Sequence, residues 1–195
     1  MSRLRFSTIL ACAAALALTT APLAANAAPG VTMDVRADAI GSYKSANGLG
    51  TPTFDLNLTG LVRLSPGVGA GQADKLFSDK RTLAASATEN LDLAGTLVDP
   101  LGTVLNFAKV KAILIIADPS NTNNVVIGGA ATNAFVGPFG TATDTIAVKP
   151  GGVQLIAVPG SGWTVTAATA DLLKVANSGS GSAVTYKVVI VGTSS

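Results

Sequence analysis

The sequence contains no histidine, and its single cysteine, Cys12, lies near the start of the chain. The lack of histidine removes the commonest general base, pH switch and metal ligand. With Cys12 confined to a segment that we expect to be removed, thiol catalysis and the usual zinc sites are excluded as well. A serine nucleophile would need an unusual base, and no Ser-x-x-Lys motif occurs. The sequence therefore predicts that the protein is not an enzyme and has no catalytic, metal or cofactor-binding residues.

Charged residues are also scarce, at 12% of the chain, which is about half of the usual ~25%. So low a share excludes long, solvated helices with charged faces. Glycine and proline are well represented, with 21 and 9 copies, but fall short of the share that marks low complexity. This composition predicts a folded chain with many turns.

The N-terminus has the three parts of a secretory signal peptide. The stretch "MSRLRFS" carries two arginines and no acid, a mostly apolar segment follows, and Ala25-Asn26-Ala27 forms a small-x-small cleavage site. We expect residues 1–27 to be removed. The alternatives are a retained membrane anchor or a buried N-terminal helix, which Pro22 and the short apolar run disfavour. Lipidation at Cys12 is disfavoured because the apolar stretch continues past it.

Removal of this segment changes the charge balance of the chain. Arg3 and Arg5 leave with it, so eleven basic residues remain against eleven acidic ones. A chain without net charge has no basic field to hold phosphates, which excludes a nucleic-acid partner. It also has little repulsion to keep copies apart, which permits self-association.

The rest of the chain is dominated by alternation of apolar and polar residues, which indicates β-strands. "FDLNLTGLVRL" places Phe54, Leu56, Leu58, Val62 and Leu64 on one face of a half-buried strand, and "WTVTA" and "VTYKVVIV" alternate in the same way. "AILII" and "VQLIAV" are continuous apolar runs, typical of strands buried on both faces. In the segment "WTVTA", Trp163 is predicted to pack between the sheets, with Leu56, Val165 and Ile190 among its neighbours or on the same inner faces.

Turn signals separate these strands at the spacing of a sandwich. They are Asp99-Pro100, Asp118-Pro119, Gly128-Gly129, Pro150-Gly151-Gly152, Pro159-Gly160 and "NSGSGS" from Asn177. We therefore predict an all-β fold, an antiparallel β-sandwich or jelly roll, over residues 53–195. Residues 28–52 are predicted to be a weakly structured arm, "SPGVGAGQAD" a flexible connection, and residues 105–109 a helical turn.

Two clusters of side chains are candidate binding sites. Asp118, Asn121, Asn123 and Asn124 offer oxygen donors to calcium, but with one carboxylate a turn held by Asn and Ser side chains is favoured. Trp163, Tyr186 and Phe139 would form a platform for stacking sugars, but the alternation around Trp163 favours packing in the core. The three alternating glycines of "GVGAGQ" lack the spacing of a phosphate loop.

Several phrases between about residue 50 and the C-terminus resemble small β-rich proteins from the structural gene modules of tailed phages. They include "ADKLFSDKRTLAASATENLDLAGTLVDPLGTVLNFAKVKAILI", "TDTIAVKPGGVQLIAVP" and "TADLLKVANSGSGSAVTYKVVIVGTS". The resemblance implies a non-enzymatic component of a phage head or tail that is multimeric. Residues 1–28 depart from that pattern, which leaves open an exported bacterial counterpart.

Two functions are consistent with these features of the sequence. The first is a structural subunit, such as a capsid decoration or tail-associated protein, located in the virion or exported to the periplasm or beyond. The second is a secreted binding module or adhesin that recognises glycan or a cell-surface partner. The expected partners are further copies of the chain, a trimer by analogy with virion appendages, and other virion or cell-surface proteins. Apolar strand faces such as Val189 and Val191 would suit a symmetric interface.

If the N-terminal segment acts as a signal peptide, the exported protein begins at Ala28. N-terminal sequencing or intact-mass measurement of native material checks this. Recovery of Met1 or Ser2 in the native, assembled protein would contradict the prediction.

Overall fold

The computed structural model describes residues 30–195, which form twelve β-strands and contain no helix. The predicted signal peptide, with Cys12, lies outside the described residues. The strands are β1 (Met33–Lys44), β2 (Thr53–Pro66), β3 (Gln72–Ala73), β4 (Lys75–Leu83), β5 (Thr88–Asp92), β6 (Lys109–Ala117), β7 (Val125–Gly128), β8 (Thr145–Val148), β9 (Val153–Ala157), β10 (Trp163–Thr164), β11 (Leu172–Asn177) and β12 (Val184–Thr193). None of the described elements is a helix that could span a membrane.

Nine of these strands form two sheets that pack face to face. In the first sheet, β12 lies between β4 and β6, and the other edge of β6 pairs with both β9 and β10. The second sheet has the order β5-β11-β7-β8, and every pairing in the two sheets is antiparallel. The predicted all-β, antiparallel sandwich is confirmed.

Alternation in β12 explains how the core between the sheets forms. Val184, Tyr186, Val188 and Ile190 are buried on its inner face, as the sequence predicts. They meet buried side chains of β6, such as Ile113 and Ile115, and of the opposite sheet. This cluster is the main core, and burial of its apolar surface is the principal favourable contribution to folding.

The remaining strands, β1 to β3, form a third sheet in which β1 and β2 make one long hairpin. Its register runs from Met33 opposite Leu64 to Lys44 opposite Thr53 without a break, and β3 pairs with the end of β2 in parallel. The base of the hairpin lies on the outer face of the five-stranded sheet. There Val35 and Leu64 join Ala112, Val191 and Ala73 in a second buried cluster.

The hairpin corrects the predicted domain organisation. Residues 28–52 were predicted as a weakly structured arm, but Met33–Lys44 is a 12-residue strand. β2, predicted as the first strand of the sandwich, pairs with β1 and not with a sandwich strand. The sandwich therefore starts after the hairpin, and the connection "SPGVGAGQAD" contains β3, which pairs with the end of β2.

Burial along β2 also differs from the prediction of a half-buried strand. Leu58 and Leu64 lie on the same face, yet Leu64 is 2% exposed and Leu58 is 62% exposed. Only the base of the hairpin has a sheet beneath it. Conversely, Val191, predicted as an exposed interface residue, is buried, because the hairpin base covers it together with part of Val189.

Two local predictions are wrong as well. Residues 105–109 form no helical turn, since Leu105 and Phe107 extend into the core and β6 begins at Lys109. The run "VQLIAV" was predicted to be buried on both faces. Its strand β9 instead lies at the sheet edge, where Val153 is exposed.

Trp163 packs from a half-buried position against the main core, the cluster to which Val165 and Ile190 belong. The prediction for Leu56 is wrong, because Leu56 lies in the exposed part of the hairpin and not on an inner face of the sandwich.

We expect Trp163→Ala to lower the free energy of unfolding by about 3 kcal/mol, the lower end for large aromatic truncations, because part of the indole is exposed. Urea denaturation followed by circular dichroism measures the change. Val153→Ala, at an exposed position, serves as the control and should stay within about 0.5 kcal/mol of the parent. A similarly small effect of Trp163→Ala would contradict a role in the core.

Candidate functional site

The distal part of the hairpin, from Ala37 to Gly60, presents an apolar face that no other part of residues 30–195 covers. Residues directly opposite one another in an antiparallel pair share a face. The register therefore places on one face Ala37 with Gly60, Ala39 with Leu58, Gly41 with Leu56 and Tyr43 with Phe54. We call this set the distal face. Tyr43 and Phe54 are 69% and 64% exposed, so the largest side chains of the distal face stand in solvent.

The opposite face of the hairpin is polar. Asp34 lies within 3.5 Å of Arg63 and 3.6 Å of Arg36, and all three side chains are largely exposed. Asp38, Asp55 and Asn57 continue this face toward the tip, and its exposed apolar exceptions are Ile40 and Leu61. Exposed ion pairs add little stability. A charged face of this kind can stay in solvent and needs no further chain to cover it. The hairpin is thus amphipathic along its full length.

The tip of the hairpin is a closed turn. Asn47 and Gly50 exchange two backbone hydrogen bonds, and the Leu49 N–H donates to Asn47 Oδ1 at 2.9 Å. The Leu49 side chain is fully exposed. From Ala37 to the end of β1 at Lys44 the hairpin extends about 24 Å, at about 3.4 Å per residue.

Within the sandwich, the densest group of charges joins the two sheets. Arg81 on β4 donates from Nε to Glu89 Oε2 on β5 at 2.6 Å and from Nη1 to Asp79 Oδ2 at 2.8 Å. The Tyr186 hydroxyl, on β12, donates to Glu89 Oε1 at 2.6 Å. Both carboxylate oxygens of Glu89 are therefore occupied. Such a group connects β4 and β12 with β5 and offers no free base for catalysis.

The environment of this group shifts two pKa values. Burial, followed by the hydrogen bond to Glu89, raises the pKa of the Tyr186 hydroxyl far above its usual range. The hydrogen bond to Glu89 raises the pKa of Arg81, despite its partial burial. Since the folded pKa of Tyr186 exceeds its unfolded value of about 10, its contribution to stability is complete below pH 10 and is lost as pH rises further.

The loop that contains Asp118, Asn121, Asn123 and Asn124 is held by its own side chains. Asp118 Oδ1 accepts hydrogen bonds from Ser120, which lower the pKa of the Asp118 carboxyl. Asn121 exchanges two hydrogen bonds with the backbone of Thr185 on β12. The Asn123 amide donates to Asn177 Oδ1 and to two carbonyls of the turn between β11 and β12. This is the geometry of a turn that fixes two loops together.

The three aromatic residues weighed as a sugar platform do not share an exposed surface. Tyr186 is fully buried, and Phe139 and Trp163 are half-buried and pack against the main core. The exposed aromatic pair of the described chain is instead Tyr43 with Phe54, on the distal face. Sequence reasoning missed this pair because β1 was not predicted as a strand.

Outside the distal face, residues 30–195 contain a small apolar cavity at the base of the hairpin. This cavity of about 120 Å³ lies between the hairpin base and the outer sheet face, with mostly apolar lining from Met33, Val35, Leu114, Leu155 and Val189. Over residues 30–195, no three His, Cys, Asp or Glu side chains lie together in a way that would hold a metal ion.

In sequence comparisons, no protein-family model and no curated protein matches the chain. The distal face is therefore the strongest candidate for function.

We expect Tyr186→Phe to lower the free energy of unfolding by about 1.5–3 kcal/mol at neutral pH, because Glu89 loses the hydroxyl bonded to its charged carboxylate. The variant should also lose less stability than the parent above about pH 10, since no buried phenol remains to ionise on unfolding. Urea titrations at both pH values measure these changes.

The control is Tyr43→Phe, which alters the other tyrosine of the chain at an exposed position. Its stability at neutral pH should match the parent to within about 0.5 kcal/mol. Equal effects of the two substitutions would contradict the role assigned to the connection between the sheets.

Proposed function

We propose that this chain is a non-enzymatic structural subunit that functions as a homo-oligomer, of the kind found in the heads or tails of tailed phages or in an exported bacterial counterpart. The observation that carries the proposal is the long hairpin, whose distal face exposes apolar side chains beyond a sandwich already packed on its own core. Contiguous apolar surface on a folded protein typically marks an interaction site.

The charge of the chain supports the same proposal. After loss of residues 1–27, acidic and basic residues balance, so copies approach without net repulsion. The distal face contains no charged residue, so its burial leaves no charge unpaired. A trimer is the proposed state, and the resemblance to phage structural proteins makes virion proteins the proposed neighbours.

A second candidate function is a secreted binding module that recognises glycan or a cell-surface partner. The observation in its favour is the exposed pair of Tyr43 and Phe54, directly opposite each other near the tip. Exposed aromatic rings offer flat apolar surface to a ligand. A glycan array probed with the parent and with Tyr43→Ala distinguishes this candidate, because a binding module loses its signal in the variant.

For the structural subunit, multi-angle light scattering at micromolar concentration should give a mass of three chains, unchanged by a chelator. The physical reason is that the proposed association uses apolar surface and no metal. A monomer at all concentrations would contradict the proposal. A monomer whose melting temperature falls on chelation would instead favour the loop at Asp118 as a calcium site.

A further inference from the structure

The outer face of the five-stranded sheet is apolar beyond the part that the hairpin base covers. Side chains directly opposite one another in antiparallel strands share a face, so the register identifies those that continue from Ala112. We call the apolar side chains past the hairpin base the outer patch: Leu114, Ile116, Val153, Leu155 and Val189. Val153 is 62% exposed and the other four are half-buried. Residues 30–195 therefore cover the outer patch only in part.

The cavity of about 120 Å³ marks the place where the cover ends. It lies between the hairpin base and three residues of the outer patch, Leu114, Leu155 and Val189. On its other side, Val35 of the hairpin base is already buried. The hairpin base thus ends over the first residues of the outer patch, and the sheet face continues past it toward Val153.

The hairpin base also shows which surface packs on this sheet. Val35 and Leu64 lie on the same hairpin face as the distal face, and they pack on Ala112 and Val191. Ala112 and Val191 in turn lie on the same sheet face as the outer patch. One contact between the two faces therefore exists within the chain, and the distal face and the outer patch continue its two sides.

These two continuations do not meet within one copy. Leu58 on the distal face is 62% exposed, and Val153 on the outer patch is exposed to the same extent. We propose that the distal face of one copy packs on the outer patch of the next copy, so that each hairpin spans two sandwiches. This inference rests on the proposed function, for which it supplies the interface.

The arrangement gives each sandwich its own space. Both sandwiches lie on the same side of the hairpin, one beneath its base and the neighbour's beneath its distal part. The distal part is about 24 Å long from Ala37 to Lys44, at about 3.4 Å per residue. The neighbour's sheet is four strands wide, because β9 and β10 share one edge of β6, and spans about 14 Å at about 4.8 Å between strands. The hairpin is therefore long enough to cross it.

The contact joins two different surfaces, so each copy donates one hairpin and receives another. Heterologous contacts of this kind form a ring where the rotation between copies closes. A ring of three corresponds to the proposed trimer. Neither the distal face nor the outer patch contains a charged residue, so their contact buries no unpaired charge. The hairpin face that contains Asp34 and Arg63 points away from the neighbour into solvent.

Leu58→Lys tests the distal face. Because Leu58 is largely exposed in the single chain, the substitution leaves the fold intact. In the contact, the new ammonium would be buried without a partner, so the dissociation constant from light scattering should rise at least tenfold. Asn57→Lys adds the same charge one residue away on the polar face and should leave the dissociation constant unchanged. Equal dissociation constants for the parent and Leu58→Lys would overturn the proposal.

Val153→Lys tests the outer patch at a position of the same exposure. It should raise the dissociation constant by a similar factor, for the same physical reason. Val153→Ala is the matched control, because it shortens the side chain and keeps the outer patch apolar, and it should associate like the parent. An unchanged dissociation constant in Val153→Lys would mean that the distal face packs elsewhere, which contradicts the inference.

An equimolar mixture of Leu58→Lys and Val153→Lys tests whether the two surfaces meet each other. The first variant keeps an intact outer patch and the second an intact distal face, so one contact of the parental kind forms between them. The mixture should give the mass of two chains at concentrations where each variant alone gives the mass of one. A contact of distal faces with one another would not be restored, since every mixed pair contains the lysine at position 58.

The outcomes separate the interface from the function. A parent that is oligomeric, with a mixture that stays at the mass of one chain, overturns this inference and leaves the structural function standing. A parent that remains monomeric at all concentrations overturns both.

Discussion

Strands β6 and β12 carry apolar side chains on both faces, so the sheet they form needs a cover on each side. The second sheet covers the inner face, where Ile113, Val188 and Ile190 are buried. The outer face, with Ala112 and Val191, is covered by the base of the β1–β2 hairpin. Because this cover spans only the base of the hairpin, the distal part lies beyond the sandwich with the same apolar pattern and no partner within the part of the chain that the structure describes. The candidate interaction surface is thus a consequence of how the five-stranded sheet is buried.

Alternation in the sequence predicted most of the sandwich because the inner residues of a strand there are nearly all large and apolar. β12 is the clear example, with Tyr186 and its neighbours buried as predicted. β1 escaped prediction because the middle of its apolar face consists of Ala37, Ala39 and Gly41, whose small side chains give little hydrophobic contrast. Its hydrogen-bonded pairing with the next strand, β2, makes it a strand.

Burial could not be predicted from the same pattern. Leu58 and Leu64 have identical positions in the alternation, and the difference between them is whether a sheet lies beneath the hairpin. Likewise, the sequence does not show that Glu89 would meet Arg81 and Tyr186 across the two sheets, since these residues come from β5, β4 and β12. The charged side chains of this group therefore connect the two sheets of the sandwich. The chain differs from a closed globular domain in the exposed apolar surface of the hairpin.

The central claim is that the distal face is buried between copies while the polar face of the same hairpin stays in solvent. Hydroxyl-radical footprinting at nanomolar and micromolar protein concentration tests it most directly, because oxidation reports on each side chain. The account predicts that Phe54 and Leu58 become protected as the concentration rises, while Ile40, 69% exposed on the opposite face, is oxidised equally at both. Equal oxidation of Phe54 and Leu58 at the two concentrations, in a sample that light scattering shows to be oligomeric at the higher one, would contradict it.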